Sequence, residues 1–389
     1  KHNNWSLSSD KGVNLLSPGK TPMNNLQFLT FFINTIAAVL NHESLLRASI
    51  VSASNELRLG TDEAPLPIIS VFIGEQLTEV LNNLEQVSEG KLSPKEKTDL
   101  KLNVIGKIPE ILLDNTDQNR TSPFAFTGNK FEFRAVGSKT NCAKPITVLN
   151  SIVAEQLIIF KGKVDGRLEN PKMKKDDAIF NELRDSIKHI RTILFEGDGY
   201  SEAWIKSAKK RGLSPMTSTP EAIKAYVSPK SITLFKTLKV FTERELESRV
   251  QVDLQQYTHT LQIEGRTLGD IARNHIIPTA IQYQNTLIDN VKGLKEIYGK
   301  GFEVHAKEQM LLIERISGHI SQINSGVNAM ISERKNANLL EDDYLKATTY
   351  YVQVKPYFDT IRYHCDKLEL LVDNSIWPLA KYRELLFSR

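Results

Sequence analysis

Two periodicities alternate along this 389-residue chain, and each predicts its own kind of element. Lys1-His2-Asn3-Asn4-Trp5-Ser6 and Lys130-Phe131-Glu132-Phe133-Arg134 swap polar and aromatic residues one by one, the two-residue period of a strand. Leu26–Leu40 is an apolar run broken by Gln27 and Asn34, too short to span a bilayer, and reads as a buried helix. Ile68–Phe72 is a short apolar piece that leads into a helical stripe of Ile73, Leu77, Val80, Leu81, Leu84 and Val87. Gly90-Lys91-Leu92-Ser93-Pro94 closes that stripe, and a charged segment follows to Asp117. Val148–Phe160 predicts a further apolar helix.

Beyond about residue 170 the pattern is helical throughout. Thr242 and Glu245 form a capping box ahead of the stripe Leu246, Val250, Leu254, Tyr257, Leu261. Pro278 is expected to kink or break the next helix. Leu312, Ile316, Ile320, Ile323, Val327 and then Ile361, Cys365, Leu368, Leu371 repeat the helical spacing. Stripes this narrow are seams of an antiparallel bundle rather than cofactor boxes.

The alternating segments also carry the candidate chemistry. On a strand, Lys130, Glu132 and Arg134 share one face with neighbours about 6.6 Å apart, while Phe131 and Phe133 share the other. A carboxylate between two cations suits a metal ion beside an anionic substrate; the same layout also describes a solvated salt-bridge ladder on an edge strand. His2, Asn4 and Ser6 likewise share a face opposite Trp5. Neutral imidazole ligates divalent metals, and Asn and Ser hydrogen-bond nucleotides or amino acids. Arg58-Leu59-Gly60-Thr61-Asp62-Glu63-Ala64-Pro65 is a Gly- and Pro-punctuated loop of the kind that covers such sites.

These pieces, in this order, resemble the later part of a glutamine synthetase of the long type III branch. His2–Ser6 is similar to the family's metal-histidine strand, and Asp62-Glu63-Ala64-Pro65 to its flap. Asn119-Arg120-Thr121-Ser122 is similar to its phosphate-binding arginine segment, and Lys130–Arg134 to its R-x-E-x-R strand. Phe124–Asn129 and Phe195-Glu196-Gly197-Asp198-Gly199-Tyr200-Ser201 resemble type III wording. The match covers roughly residues 1–160 and 190–270. It departs in two places: Lys130 stands where shorter members have arginine, and the family's second arginine falls on Ala125.

The resemblance implies an α+β fold: the C-terminal half of the catalytic domain, an antiparallel sheet with helices, over residues 1–165, then a helical bundle region over 166–389. Residues 70–117 look like a branch-specific insertion. A longer N-terminal half is expected to precede Lys1 and to supply further metal ligands. The implied reaction is ATP-dependent ligation of ammonia to L-glutamate through γ-glutamyl phosphate, with Mg2+ or Mn2+. His2 and Glu132 would hold a metal, and Arg120 and Arg134 would neutralise the transferring phosphoryl group. Arg58 would bind glutamate, Glu63 would close the flap and help deprotonate ammonium, and Asn4, Ser6 and Lys130 would touch ATP. The implied assembly is a dodecamer of two stacked hexameric rings in the cytoplasm. The alternative is a catalytically silent helical assembly fragment.

Composition narrows this picture only a little. A net charge of +4, with basic residues dispersed among acidic ones, points to neither nucleic acid nor membrane. Cys142 and Cys365 lack metal-type spacing and read as free thiols. Gly19-Lys20-Thr21 lacks the earlier glycine of a phosphate loop, and the two Asn-x-Ser/Thr triplets at 4 and 119 lie inside the candidate site segments. His189, His259, His275, His305, His319 and His364 show no pairing along a helix, and Glu196–Gly199 reads as a tight turn.

Overall fold

In a computed structural model of the chain, the structure describes residues 2–18, 22–60, 66, 68–86, 121–137, 141–213 and 218–387. Glu63, Arg120, Asn119, the Gly19–Thr21 triplet, Val87 and the charged stretch to Asp117 lie outside these residues. Two compact units divide the chain, Lys1–Val250 and Gln251–Arg389. Compactness therefore divides the chain later than the change to helical character near residue 165, and the helices up to Val250 fall in the same unit as the strands.

Both alternating segments are strands. β1 (Asn3–Trp5), β2 (Val71–Phe72), β3 (Phe124–Phe126) and β4 (Phe131–Phe133) form one sheet in the order β1-β4-β3-β2. β1 and β3 run antiparallel to β4, but β2 runs parallel to β3, so the sheet is mixed and not antiparallel throughout. The reason is connectivity. A parallel pair needs a crossover of about a dozen residues or more, and the long connection from Phe72 to Phe124 is one that β3–β4, joined by a short turn, lacks. The first part of the segment read as an insertion thus contributes β2 and the helix Glu75–Gln86. Beyond β2, Val71 exchanges backbone hydrogen bonds with Ile193 and Phe195, which extends the sheet edge.

One side of the sheet is an aromatic layer. Phe131 stacks on Phe124 (4.9 Å between centroids) and on Phe32 of the helix Pro22–Asn41 (5.8 Å), with Phe126 edge-on at 5.2 Å. Phe28, Phe32, Phe124, Phe131 and Phe133 are fully buried. The apolar run around residue 30 is therefore a helix because its apolar faces meet the sheet and the helices Ala143–Leu168 and Lys175–Ile190. Asn34, fully buried, accepts a hydrogen bond from Gln156 of the 143–168 helix at 3.0 Å, so the polar interruption is paired rather than stranded. Helix Ala143–Leu168 is long and apolar enough to cross a membrane by length and composition alone; here Val148, Leu149, Ile152 and Val153 are buried inside the unit.

The helical expectations hold in detail. Thr242 and Glu245 make the capping box reciprocally, Thr242 N–H donating to the Glu245 carboxylate at 2.7 Å and Glu245 N–H to Thr242 Oγ1 at 3.3 Å. Leu246, Val250, Leu254, Tyr257 and Leu261 are all buried along the helix Glu243–Ile271. The α-helical run is interrupted at Pro278 as expected. A π turn, Ala272–Ile276, precedes it, and Pro278 sits in the first turn of the helix Ile277–Tyr298. Proline lacks the N–H that an α-helical bond to residue 274 would require, and the wider turn absorbs the mismatch.

Phe131→Ala is expected to lower the unfolding free energy of the first unit by about 3–5 kcal/mol, since it empties the centre of a dry aromatic layer. Urea unfolding monitored by far-UV circular dichroism measures this, and a loss below about 1 kcal/mol would show that the layer does not hold the sheet.

Candidate functional site

Antiparallel register decides which side chains meet on the open face of the sheet. Asn4 lies directly across from Glu132, Glu132 across from Ala125, and Ala125 beside Phe72. The adjacent rows, Asn3–Phe133–Phe124–Val71 and Trp5–Phe131–Phe126, point the other way and are buried. Across the open face the row passes from exposed Asn4 through half-buried Glu132 to buried Ala125, so polarity is confined to the β1–β4 edge. Ala125, where the resemblance leads one to expect an arginine, is fully buried.

Glu132 is the hub. Its Oε2 accepts two hydrogen bonds from Arg134, from Nε at 3.3 Å and from Nη2 at 3.2 Å. The same oxygen lies 3.8 Å from His2 Nδ1. Arg134 is only 4 % exposed, so a guanidinium is held out of water on the carboxylate it neutralises, whereas the His2 side chain is 50 % exposed. Burial lowers the His2 pKa; Glu132 opposes this, and the positive charges of Arg134 and Arg58 add to the lowering. His2 is therefore neutral near pH 7, the form that ligates metals.

Arg58 reaches the same cluster from the end of the helix Ala53–Arg58. Its Nε donates to Asn55 Oδ1 at 3.1 Å, and the buried Asn55 amide donates to the Ile50 carbonyl at 2.7 Å and to the Ala135 carbonyl at 2.9 Å. Asn55 thus ties the helix carrying Arg58 to the chain just past β4. Nothing in the sequence marked Asn55: its role depends on a partner 80 residues away. Ser52 gave the one local signal, as the N-cap accepting from Asn55 N–H.

Ser6, Lys130 and the Glu196–Gly199 loop make contacts within the fold. Ser6 donates to Asn14 Oδ1 at 2.9 Å and is 3.2 Å from the Asn129 carbonyl, so its hydroxyl braces the β3–β4 turn. Lys130 is half-buried at that turn, where its carbonyl accepts from Thr127 N–H. The Glu196–Gly199 loop is structural. The Glu196 carboxylate accepts from the Ile73 and Gly74 N–H groups and from Thr78 Oγ1, which caps the helix Glu75–Gln86. Gly199 donates its N–H to Thr121 Oγ1 at 2.7 Å, and a Cβ there would fall 2.5 Å from the Thr121 carbonyl oxygen. Only glycine fits, which holds the loop against the segment that begins β3.

A divalent cation fits between His2 and Glu132. Metal–ligand bonds of about 2.0–2.2 Å allow two ligand atoms to stand up to roughly 4.2 Å apart, and these stand 3.8 Å apart. Among the described residues no group of three His, Cys, Asp or Glu side chains gathers at one point. The pair therefore supplies part of a coordination sphere, with the remaining ligands from water, substrate or groups outside these residues. His319 and His364 meet with their Nδ1 atoms 2.9 Å apart in the helical unit, a pairing between helices that sequence spacing could not reveal.

Comparison with known proteins gives the following similarities. Residues 178–295 match the model of the glutamine synthetase C-terminal domain. The whole chain aligns with a glutamine synthetase of Bacteroides fragilis at 49 % identity, covering 53 % of that protein. It aligns with the type-3 glutamine synthetase of Dictyostelium discoideum at 37 %, covering 52 %, and with a glutamine synthetase of Butyrivibrio fibrisolvens at 31 %, covering 54 %. The chain spans about half the length of the curated relatives it matches.

Asn55→Ala removes the donor for two buried carbonyls and the acceptor for Arg58. The expected cost is about 1–3 kcal/mol of stability, read by urea unfolding; an unchanged midpoint would mean that Asn55 does not anchor the helix.

Proposed function

Because this chain is a homologue of glutamine synthetases over its full 389 residues, the type-3 enzyme among them, we propose that it carries phosphoryl-handling groups of an ATP-dependent ligase that joins ammonia to L-glutamate. The observation that supports this reading is Glu132 set between His2 and buried Arg134, facing out from a rigid aromatic floor.

In the proposed reaction the γ-carboxylate oxygen of glutamate attacks the terminal phosphorus of ATP, and ADP leaves. Ammonia then attacks the carbonyl carbon of γ-glutamyl phosphate, phosphate departs, and the nitrogen gives up a proton. Both steps concentrate negative charge on phosphoryl oxygens, and preorganised cations lower that barrier without reorganising. Arg134 is such a cation: burial and its two bonds to Glu132 restrict its motion. Arg58, braced by Asn55, would bind the glutamate carboxylate. His2 and Glu132 would hold Mg2+ or Mn2+, which when bound draws charge from phosphate oxygens. Asn4, across from Glu132, is the strand residue free to meet the nucleotide, with Lys130 as a point charge nearby. Arg120 would neutralise the phosphoryl group, and Glu63 would close over the substrate and take the ammonium proton; both assignments come from the resemblance of their segments.

Completion of the site by other groups belongs to the same proposal, as does a ring-shaped homo-oligomer. A second reading, a helical assembly module without catalysis of its own, draws on the small number of ligands gathered here.

Glu132→Ala in a complete, glutamine-forming enzyme should reduce glutamine formation by about 10³-fold while thermal unfolding is little changed, as expected when preorganised charge at a phosphoryl centre is removed. Activity retained at saturating magnesium would overturn the catalytic reading and favour the assembly module. Deleting residues 280–389 should lower the oligomer mass measured by light scattering, and an unchanged assembly with full activity would remove the bundle from subunit contacts.

A further inference from the structure

The unit Gln251–Arg389 holds a cavity of about 230 Å³ between two of its own helices. One wall is the end of the helix Glu243–Ile271 with the π turn Ala272–Ile276; the other is the C-terminal third of the helix Lys307–Asn338. Its lining is cationic: Arg266, Arg273 and Arg334 face a single carboxylate, Asp270.

The backbone makes this space in two ways. Gly265 and Gly269 lie one turn apart, and a Cβ on Gly265 would be 3.1 Å from the Phe358 ring and 3.5 Å from Met330 Sδ, while one on Gly269 would be 3.4 Å from Val327 Cγ1. Their missing side chains let the two helices approach over the buried Val327 and Met330, and leave Ile331 as the accessible apolar part of the lining. The π turn then adds a residue to the helical repeat and brings Arg273 and Asn274 to the rim. Insertions of this kind gather at functional sites more often than elsewhere.

Three like charges on one small cavity repel one another, and the usual remedy is a carboxylate partner for each. None of the three has one among the described residues. Arg273 donates to the Asn328 amide oxygen at 2.5 Å, and Asp270 takes its hydrogen bond from Asn274. Arg266 and Arg334 both act electrostatically on the buried Tyr350 phenol, whose own bond goes to Asn338. The guanidinium forks are therefore available to an external anion, and forks of this kind bind phosphate or carboxylate in pairs of parallel bonds.

We propose that this cavity binds a small phosphomonoester, its phosphate held by Arg266, Arg273 and Arg334 and its organic part set against Ile331. A tetrahedral phosphate offers three acceptor oxygens to three forks at one point, whereas a dicarboxylate spreads its charge over two ends. Asp270 disfavours further negative charge and accepts from a hydroxyl on the ligand. The volume is below the roughly 300–1,000 Å³ of drug-sized pockets, which suits a compact ligand and not a peptide segment. This site lies in a different compact unit from the strand cluster, and the inference does not depend on the ligase reading.

Isothermal titration calorimetry on the intact protein at low salt tests this, with glycerol 3-phosphate, inorganic phosphate and succinate as probes. Glycerol 3-phosphate should bind saturably and more tightly than succinate. The double variant Arg273→Gln/Arg334→Gln should lose one binding event or weaken it at least tenfold, and the exposed Arg266→Gln alone should weaken it severalfold with its melting temperature unchanged. Arg134→Gln should retain that event. Tighter binding of succinate, loss confined to Arg134→Gln, or binding indifferent to all three cavity arginines would overturn the proposal.

Discussion

The pairing of β1 with β4 is the constraint on which the rest of the site depends. Trp5, Phe131 and Phe133 must all face the helices, and Trp5 is further fixed by its indole N–H donating to Asn150 Oδ1 at 2.8 Å. A shift of one residue would turn the phenylalanines to solvent and bury Glu132 among aromatic rings, which burial energetics forbid. Given that register, His2 and Asn4 can only fall beside Glu132. The chemistry on one face is thus a consequence of the hydrophobic packing on the other.

Electrostatics then sets each group's state. A buried arginine without a partner would be costly, and Glu132 removes that cost while being itself fixed in place. The arrangement sets a carboxylate beside an imidazole whose pKa burial lowers, an oxygen and a nitrogen donor of the kind a divalent cation takes. Asn55 shows how such a site is held from behind. One amide closes two buried carbonyls and orients Arg58, so the precision of the face rests on a residue that does not reach it.

In the helical unit, irregularity is concentrated where function is inferred. Two π turns, Ala272–Ile276 and Tyr350–Val354, interrupt long helices, and Tyr350 of the second is fully buried within reach of Arg266 and Arg334 of the cavity. Regular helices would have closed this space; glycines and widened turns keep it open.

Local period alone determined several features of this protein. Alternation of aromatic and polar residues announced β1 and β4, because a strand sends successive side chains to opposite faces. Narrow stripes and a capping box announced the buried seam and the start of the helix Glu243–Ile271, because both depend on residues a few positions apart. Motif wording marked His2, Glu132 and Arg134 as candidate site residues. Tertiary structure decided what depends on distant partners: the parallel direction of β2, the bracing of Arg58 by Asn55, the use of Ser6 in a turn, the close fit of Gly199 against Thr121, and the meeting of Arg266, Arg273 and Arg334 around one cavity. Each of these joins residues whose separation along the chain carries no periodic signal, so only the folded chain brings them together.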